Sequence, residues 1–197
     1  MTDANNIILG YAKIWTAPYG TAFPAATIAF GTSWGGSWAY LGDTLTPLSF
    51  GGERTQFDVE IQQATAPVKS IITKETRNFK TSLSEHQATA LNYLLLGTSV
   101  NTAPGTGTKG YYTIDFGGNQ IPNVLAVGFE ALYQLTDGTQ FPMRWMFYKG
   151  SILQDGDIVY DRAGVAGIPI NIKTYADTTK VVGKQIGRFE QIYSAGL

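Results

Sequence analysis

His86 is the one histidine of the chain, and cysteine is absent. A Ser-His-Asp site would have to use His86, and no G-x-S-x-G elbow supplies the serine. Metal-assisted hydrolysis normally draws on two or three histidines or thiolates, a set this composition lacks. Asp155, Asp157 and Asp161 lie close together in sequence. Their spacing fits no twelve-residue calcium loop, which needs glycine at its sixth position and glutamate at its twelfth. Gly105–Gly110 (GTGTKG) spells G-x-G-x-x-G. The dinucleotide fingerprint needs a strand before it and a helix after it. Here a helical stretch and Pro104 come first and a strand follows. Carboxylates scattered along the predicted strands leave a glycoside-cleaving pair open, but nothing singles out two of them. The expectation is a non-enzyme with no catalytic residue, metal or cofactor.

Composition narrows the class further. The chain has 197 residues, a length that buries a core without disulfides or metal. Charged residues make up 15%, against about 25% in ordinary soluble domains, and the formal net charge is −1. A nucleic-acid binder would show a basic stripe, and a polybasic membrane binder a cationic cluster. Hydrophobic residues reach 44% and aromatic residues 13%. Low charge with this much apolar surface is compatible with a plain neutral domain or with one largely covered by other protein. The opening residues, MTDANNIILGYAKIW, lack the basic region before an apolar core that marks a signal peptide. No apolar run approaches the ~20 residues that span a bilayer.

The elements are organised around Val68–Gly97. Its first half is extended, with Lys74, Glu75, Arg77 and Lys80 set among β-formers. Ile71, Phe79 and Leu83 share a face with Glu75 and Arg77, so the middle of this strand is expected to lie outside a sandwich. A helix is predicted to open at Ser84. Ser84 with Gln87 forms a capping box, Glu85 sits in the first turn, and Ala88, Leu91, Leu94 and Leu95 make the apolar face. Gly97 is the expected left-handed stop.

The remainder reads as strands. Ile7–Trp15 is apolar on both faces. Residues 16–36 form a long loop with a short strand at Thr27–Phe30, and Trp34 and Trp38 either cap the core edge or anchor a partner. Short strands are expected at Ser37–Leu41 and Leu45–Phe50, the second ended by Gly51-Gly52. Thr55–Gln62 alternates Phe57, Val59 and Ile61 against Gln56, Asp58 and Glu60, a half-buried strand. Extended loops are predicted at about 16–36, 43–67 and 98–110. Tyr111–Phe116 is a strand. Val124–Leu135 and Phe141–Lys149 form a hairpin. An odd-length loop puts Val127, Phe129, Ala131 and Tyr133 on one face with Phe141, Met143, Trp145 and Phe147, pairing Leu135 with Phe141 and Tyr133 with Met143. Ile168–Tyr175 buries Ile168, Ile170 and Ile172, and Ile186–Tyr193 is the last strand.

This order of elements resembles the major tail tube protein of long, non-contractile-tailed bacteriophages. The resemblance is carried by Leu41-Gly42 and its turn, Asp58-Val59-Glu60, Ala66-Pro67-Val68, the strand-to-helix passage through Ser84–Gly97, Ile168-Pro169-Ile170, Tyr175-Ala176-Asp177 and Gly183–Phe189. It implies a mainly β (α+β) fold: a two-sheet β-sandwich or barrel flanked by one helix, a single domain over 1–197. It implies hexameric rings stacked into a tube that conducts viral DNA without binding it specifically. Implied partners are further copies, the tape measure protein, the tail terminator and tail-tip proteins. The implied location is the virion tail, reached from the host cytoplasm, with no membrane. Lumen-facing or inter-subunit candidates are Asp58, Glu60, Lys74, Glu75, Arg77 and Lys80. Ring-stacking candidates are Gln63, Pro67, Asn101 and Lys109. The alternatives are a type VI secretion-like tube protein, a monomeric carbohydrate-binding sandwich using Trp34, Trp38 and Tyr40, or a capsid-decorating or tail-terminator protein.

Overall fold

The structure is a computed structural model that describes residues 12–192 except 61, 63, 64, 97, 103, 106, 108, 119, 120, 135–137, 161 and 163. In chain order the strands are β1 (Lys13–Pro18), β2 (Ala39–Asp43), β3 (Ser49–Val59) and β4 (Lys69–Leu83). After helix α1 (Ala88–Leu95) come β5 (Thr98–Thr102), β6 (Tyr111–Asp115), β7 (Leu125–Gln134), β8 (Gln140–Gln154), β9 (Ile168–Thr174) and β10 (Gly187–Gln191). Strands β2-β1-β7-β8-β9-β4-β3 form one antiparallel path, β10 adds to β8, and β5 pairs with β6 in a separate two-stranded sheet.

β8 is the hinge of the fold. One of its edges carries β7. The other carries β10 at Met143–Phe147 and then β9 at Gly150–Gln154. Strands that share one edge in succession diverge into two layers. Phe79 of β4 confirms the folding: three strand spacings from β7, about 14 Å on a flat sheet, its ring centroid is 5.1 Å from that of Phe129. Phe50 of β3 likewise reaches Trp145 of β8 at 4.8 Å. The sheet therefore doubles over in the manner of a sandwich. It does not close into a barrel. One isolated bridge, Thr44 to Leu83, ties a corner without extending into a ladder.

The inner core follows the alternation of each strand. Ile14, Val127, Phe129, Phe147, Ile152, Phe79, Leu83, Ile168, Ile170 and Ile172 meet between the layers. The β7–β8 hairpin has the odd loop expected, and its apolar sets share a face. Its register is two residues away from the predicted one: Tyr133 pairs with Phe141, and Ala131 with Met143. Leu135 lies outside the described residues. A shift by two leaves every side chain on its face, so the hydrophobic pattern alone could not choose between the registers.

α1 is shorter than predicted and starts later. Gln87 is its N-cap and makes no side-chain capping bond. Ser84 instead donates its hydroxyl to the Asp43 carbonyl, and Gln87 reaches Glu85. Tertiary contact with β2 has taken the serine that the capping box needed. No acidic residue lies in the first turn, and Leu96 adopts the left-handed conformation at the C-cap (φ 51°). Gly97 is outside the described residues. Ala90 and Leu94, one helical repeat apart, enter the core with Leu91 beside them.

A second apolar layer lies on the outer face of β1, β7 and β8. Trp15, Ala17, Trp34, Trp38, Ala126 and Met146 form it, with Phe23 and Ile28 packed against it. Residues 19–38 thus fold over the sheet as a loop, and the short strand expected at Thr27–Phe30 is absent. Trp34 stacks on Trp15 at 5.5 Å and meets Trp38 edge-on at 5.0 Å. Gly128 makes room for this: a Cβ there would lie 2.6 Å from the Trp34 ring.

Beneath the loop sits a wholly buried ion pair. Arg144 Nε donates to Glu130 at 3.3 Å, and both side chains are fully excluded from solvent. The other Glu130 oxygen accepts from Trp15 Nε1 (3.2 Å) and Gly31 N (3.0 Å). Arg144 also donates to the carbonyls of Ala25 (3.4 Å), Ala26 (3.5 Å) and Ile28. Buried charges persist when their remaining donors and acceptors are met, and here loop backbone meets them. The pair is a clasp that pins residues 25–31 to β7 and β8.

A second clasp closes the start of this loop. Asp177 accepts from Tyr19 Oη (2.9 Å), Thr179 Oγ1 (2.7 Å) and Thr179 N (3.0 Å). The Thr179 hydroxyl is the largest influence holding the Asp177 carboxyl below the usual range, with the Thr179 amide, Tyr19 and Lys180 adding to it against the opposing effect of burial. A carboxyl depressed in the fold stabilises it above its unfolded pKa of about 3.9 and loses that contribution as pH falls through the folded value. Thermal unfolding of the wild type is therefore expected to fall more steeply below about pH 5 than that of Asp177→Asn. Parallel curves would contradict the assignment.

Candidate assembly surface

β3 and β4 run together for eleven paired positions, but β9 supports β4 only over Asn78–Leu83. The distal part, Gly52–Val59 with Lys69–Arg77, is a two-stranded ribbon beyond the sandwich. The strands here and elsewhere depart from the sequence expectation in three ways. β3 passes straight through Gly51-Gly52, where a break was predicted, so residues 43–67 contain a long strand rather than one extended loop. Likewise β5 occupies the start of 98–110, and β1 runs on to Pro18. Finally, the large apolar residues of the ribbon are exposed: Phe57 is 60% exposed, Ile71 44% and Ile72 50%, and only Val59 and Glu75–Arg77 are half-buried.

The ladder explains the arrangement. Gly52 stands opposite Arg77, and a Cβ at 52 would lie 2.7 Å from Arg77 Cδ. The missing side chain lets Arg77 fold back on Glu75. Glu75 Oε1 accepts from Arg77 Nε (3.1 Å) and Nη2 (2.6 Å), and from Arg54 Nε (3.1 Å) and Nη2 (3.0 Å). Partial burial pushes the Glu75 carboxyl up, but the hydrogen bonds from Arg77 and Arg54 outweigh it and hold it below its ordinary value. A bulge between Thr55 and Gln56 leaves Thr73 as the extra residue, its hydroxyl on the Thr55 carbonyl at 3.2 Å. One extra residue reverses the alternation of the strand that holds it. Ile71 therefore leaves the face of Glu75 and Arg77, where the sequence placed it, and pairs across with Phe57 on the opposite one.

The predicted charged candidates are strung along this ribbon and do not converge. Asp58 is near the tip, bonded by Ser70, and Glu60 is exposed just beyond β3. Lys74, Glu75 and Arg77 occupy the middle. Lys80 is at the base, paired with Asp155 at 2.9 Å. Over β3 and β4 the cations Arg54, Lys69, Lys74, Arg77 and Lys80 number five, and the carboxylates Glu53, Asp58 and Glu75 three, a balance of 5 − 3 = +2. Of the stacking candidates, Pro67 is exposed beyond the ribbon tip and Lys109 is exposed before β6. The backbone of Asn101 pairs with Tyr112 in the small sheet, and Gln63 lies outside the described residues. Sequence reasoning missed Ile72 and Phe50 as surface features. The available signal was the alternation itself, which marks an apolar face without saying whether the chain's own fold buries it.

His86 is exposed just before the helix, its Nε2 2.8 Å from the Ala166 carbonyl. Asp155 of the predicted acidic cluster is committed to Lys80. Among the described residues no group of acidic or histidine side chains is arranged to hold a metal, and no helix is long and apolar enough to cross a membrane. Trp34 and Trp38 are buried, so they form no exposed sugar platform.

The described residues form a doubled-over sheet with open edges and a projecting ribbon that exposes Phe57, Ile71 and Ile72. Residues 1–186 match a family model described as phage tail tube protein. The chain belongs to that family, and its role is that of a structural component of the phage tail. No curated protein matches the chain.

Proposed function

We propose that this chain closes into rings of six subunits, and that the rings stack into the tube through which viral DNA leaves the virion. The observation that carries the reading is the β3–β4 ribbon, whose apolar residues and outer edge have no cover within the described chain. An open apolar edge is a hazard on a free monomer and is removed when sheets join around a ring. Asp58, Glu60, Lys74, Glu75, Arg77 and Lys80 are assigned to contacts between subunits rather than to the lumen. A wall that lets phosphates slide past is expected to be acidic, and the charges along this ribbon are mixed, with no acidic surplus. The segment carrying Gln63 and Pro67, and the segment of Asn101 and Lys109, are assigned to ring stacking. Tube length and ends are left to the tape measure, terminator and tail-tip proteins, with assembly in the host cytoplasm and residues 1–197 acting as one unit. Electron microscopy of the concentrated full chain tests this. Hollow rings or tubes with sixfold end views are expected. Monomers unchanged by concentration and by added tail-initiation complex would contradict it.

A further inference from the structure

A cleft of about 360 Å³ opens between the two layers, lined by Phe50, Trp145, Phe147, Phe189, Arg77 and Arg188. It lies where β3 and β4 face the β8–β10 pairing. Its aromatic floor is continuous: Phe50 is 4.8 Å from Trp145, and Trp145 is 4.6 Å from Phe189. Phe189 is itself 44% exposed. We propose that this cleft receives the ribbon tip of a second copy, with Phe57 and Ile71 as its apolar anchors. The proposal rests on the self-assembling role given above and names its contact.

Three observations choose this occupant. The tip presents a cross-strand pair, Phe57 with Ile71, that nothing in the described chain covers. Aromatic residues entering a pocket of this kind are what commonly dominate protein–protein contacts. The charges are complementary. Asp58 and Glu60 against Lys69 leave the tip at −2 + 1 = −1, and Arg77 and Arg188 against Glu75 leave the cleft at +2 − 1 = +1. Glu75 is already engaged by Arg54 and Arg77, whereas Arg188 has the Phe23 ring at 5.5 Å. Lastly, the chain cannot fill its own cleft. Phe57 is seven residues beyond Phe50 on the same strand, about 23 Å away, and points to the opposite face. Tip and cleft are different surfaces, so their contact is heterologous. Repeated, it closes into a ring or runs on as a fibre.

The absence of native cysteine makes the test direct. Phe57→Cys and Phe189→Cys are placed together in the full chain, which is assembled by concentration and oxidised. A ladder of covalent multimers is expected, while mixing the two single variants should stop at dimers. Phe57→Asp should fold as the wild type does, since the side chain is exposed, and should raise the concentration needed for assembly by at least about tenfold, the loss of a contact worth ~1.4 kcal/mol. Assemblies that form without a ladder and tolerate Phe57→Asp would overturn the docking and leave the tube reading standing. A wild-type chain that never assembles would overturn both.

Discussion

Arg144→Leu is expected to be the most destabilising single substitution at a polar position of this protein. It removes the donor to three loop carbonyls and strands Glu130 as an unpaired charge with no solvent contact. Breaking a buried pair from one side costs about 3–5 kcal/mol. For a chain of this length each kcal/mol moves the midpoint by about 2–4 °C, so Tm should fall by roughly 6–20 °C. Trp15 and Trp34 lie in the same layer, and Trp15 donates to Glu130. Their fluorescence should therefore shift to the red before global unfolding, as residues 25–31 come away from the sheet. The double variant Glu130→Met, Arg144→Leu removes the two fully buried charges, leaves the partly exposed Glu190 without the Arg144 cation 3.6 Å away, and is expected to recover part of the loss. A single variant within about 2 °C of wild type would show that the clasp carries little stability.

The ribbon variant is expected to do the reverse: leave the fold and abolish assembly. Gly52 and Arg77 are directly paired, so replacing Glu53–Thr76 with Asn-Gly joins them through a two-residue turn. β4 keeps its ladder with β9 over Asn78–Leu83, and Phe50 and Phe79 stay stacked at 4.7 Å. Sedimentation should give a monomer at every concentration where the wild type assembles, with a Tm close to wild type. An assembling deletion variant would remove the ribbon from the account. An unfolded one would show that the ribbon supports the sandwich, which its exposure argues against.

What the sequence disclosed and what it hid follow from the range of each interaction. Alternation placed Ile168, Ile170 and Ile172 in the core, where they are almost fully buried, because period-two patterning is local. The same logic required an odd β7–β8 loop. It could not fix the register to better than two residues, since such a shift moves no side chain between faces. Ser84 and Gln87 carried a sound local capping signal, but a carbonyl on β2, 41 residues away, took the hydroxyl. Glu130 and Arg144 were readable only as lone charges inside apolar strands. Their pairing depends on a hairpin register, and their satisfaction on distant groups: loop carbonyls for Arg144, and the Trp15 indole and Gly31 amide for Glu130. The ribbon was misread for a different reason. The alternation of Phe57 and Val59 marks an apolar face, and alternation alone does not say whether the chain's own fold buries that face; here Phe57 stays exposed.

Cryo-electron microscopy of the assembled protein at side-chain resolution would locate the ribbon. Six copies per ring are expected, with Glu53–Thr76 of each lying between adjacent subunits and Phe57 covered. A tube whose ribbons point into the lumen or out to solvent would contradict this arrangement, as would a ring of another symmetry.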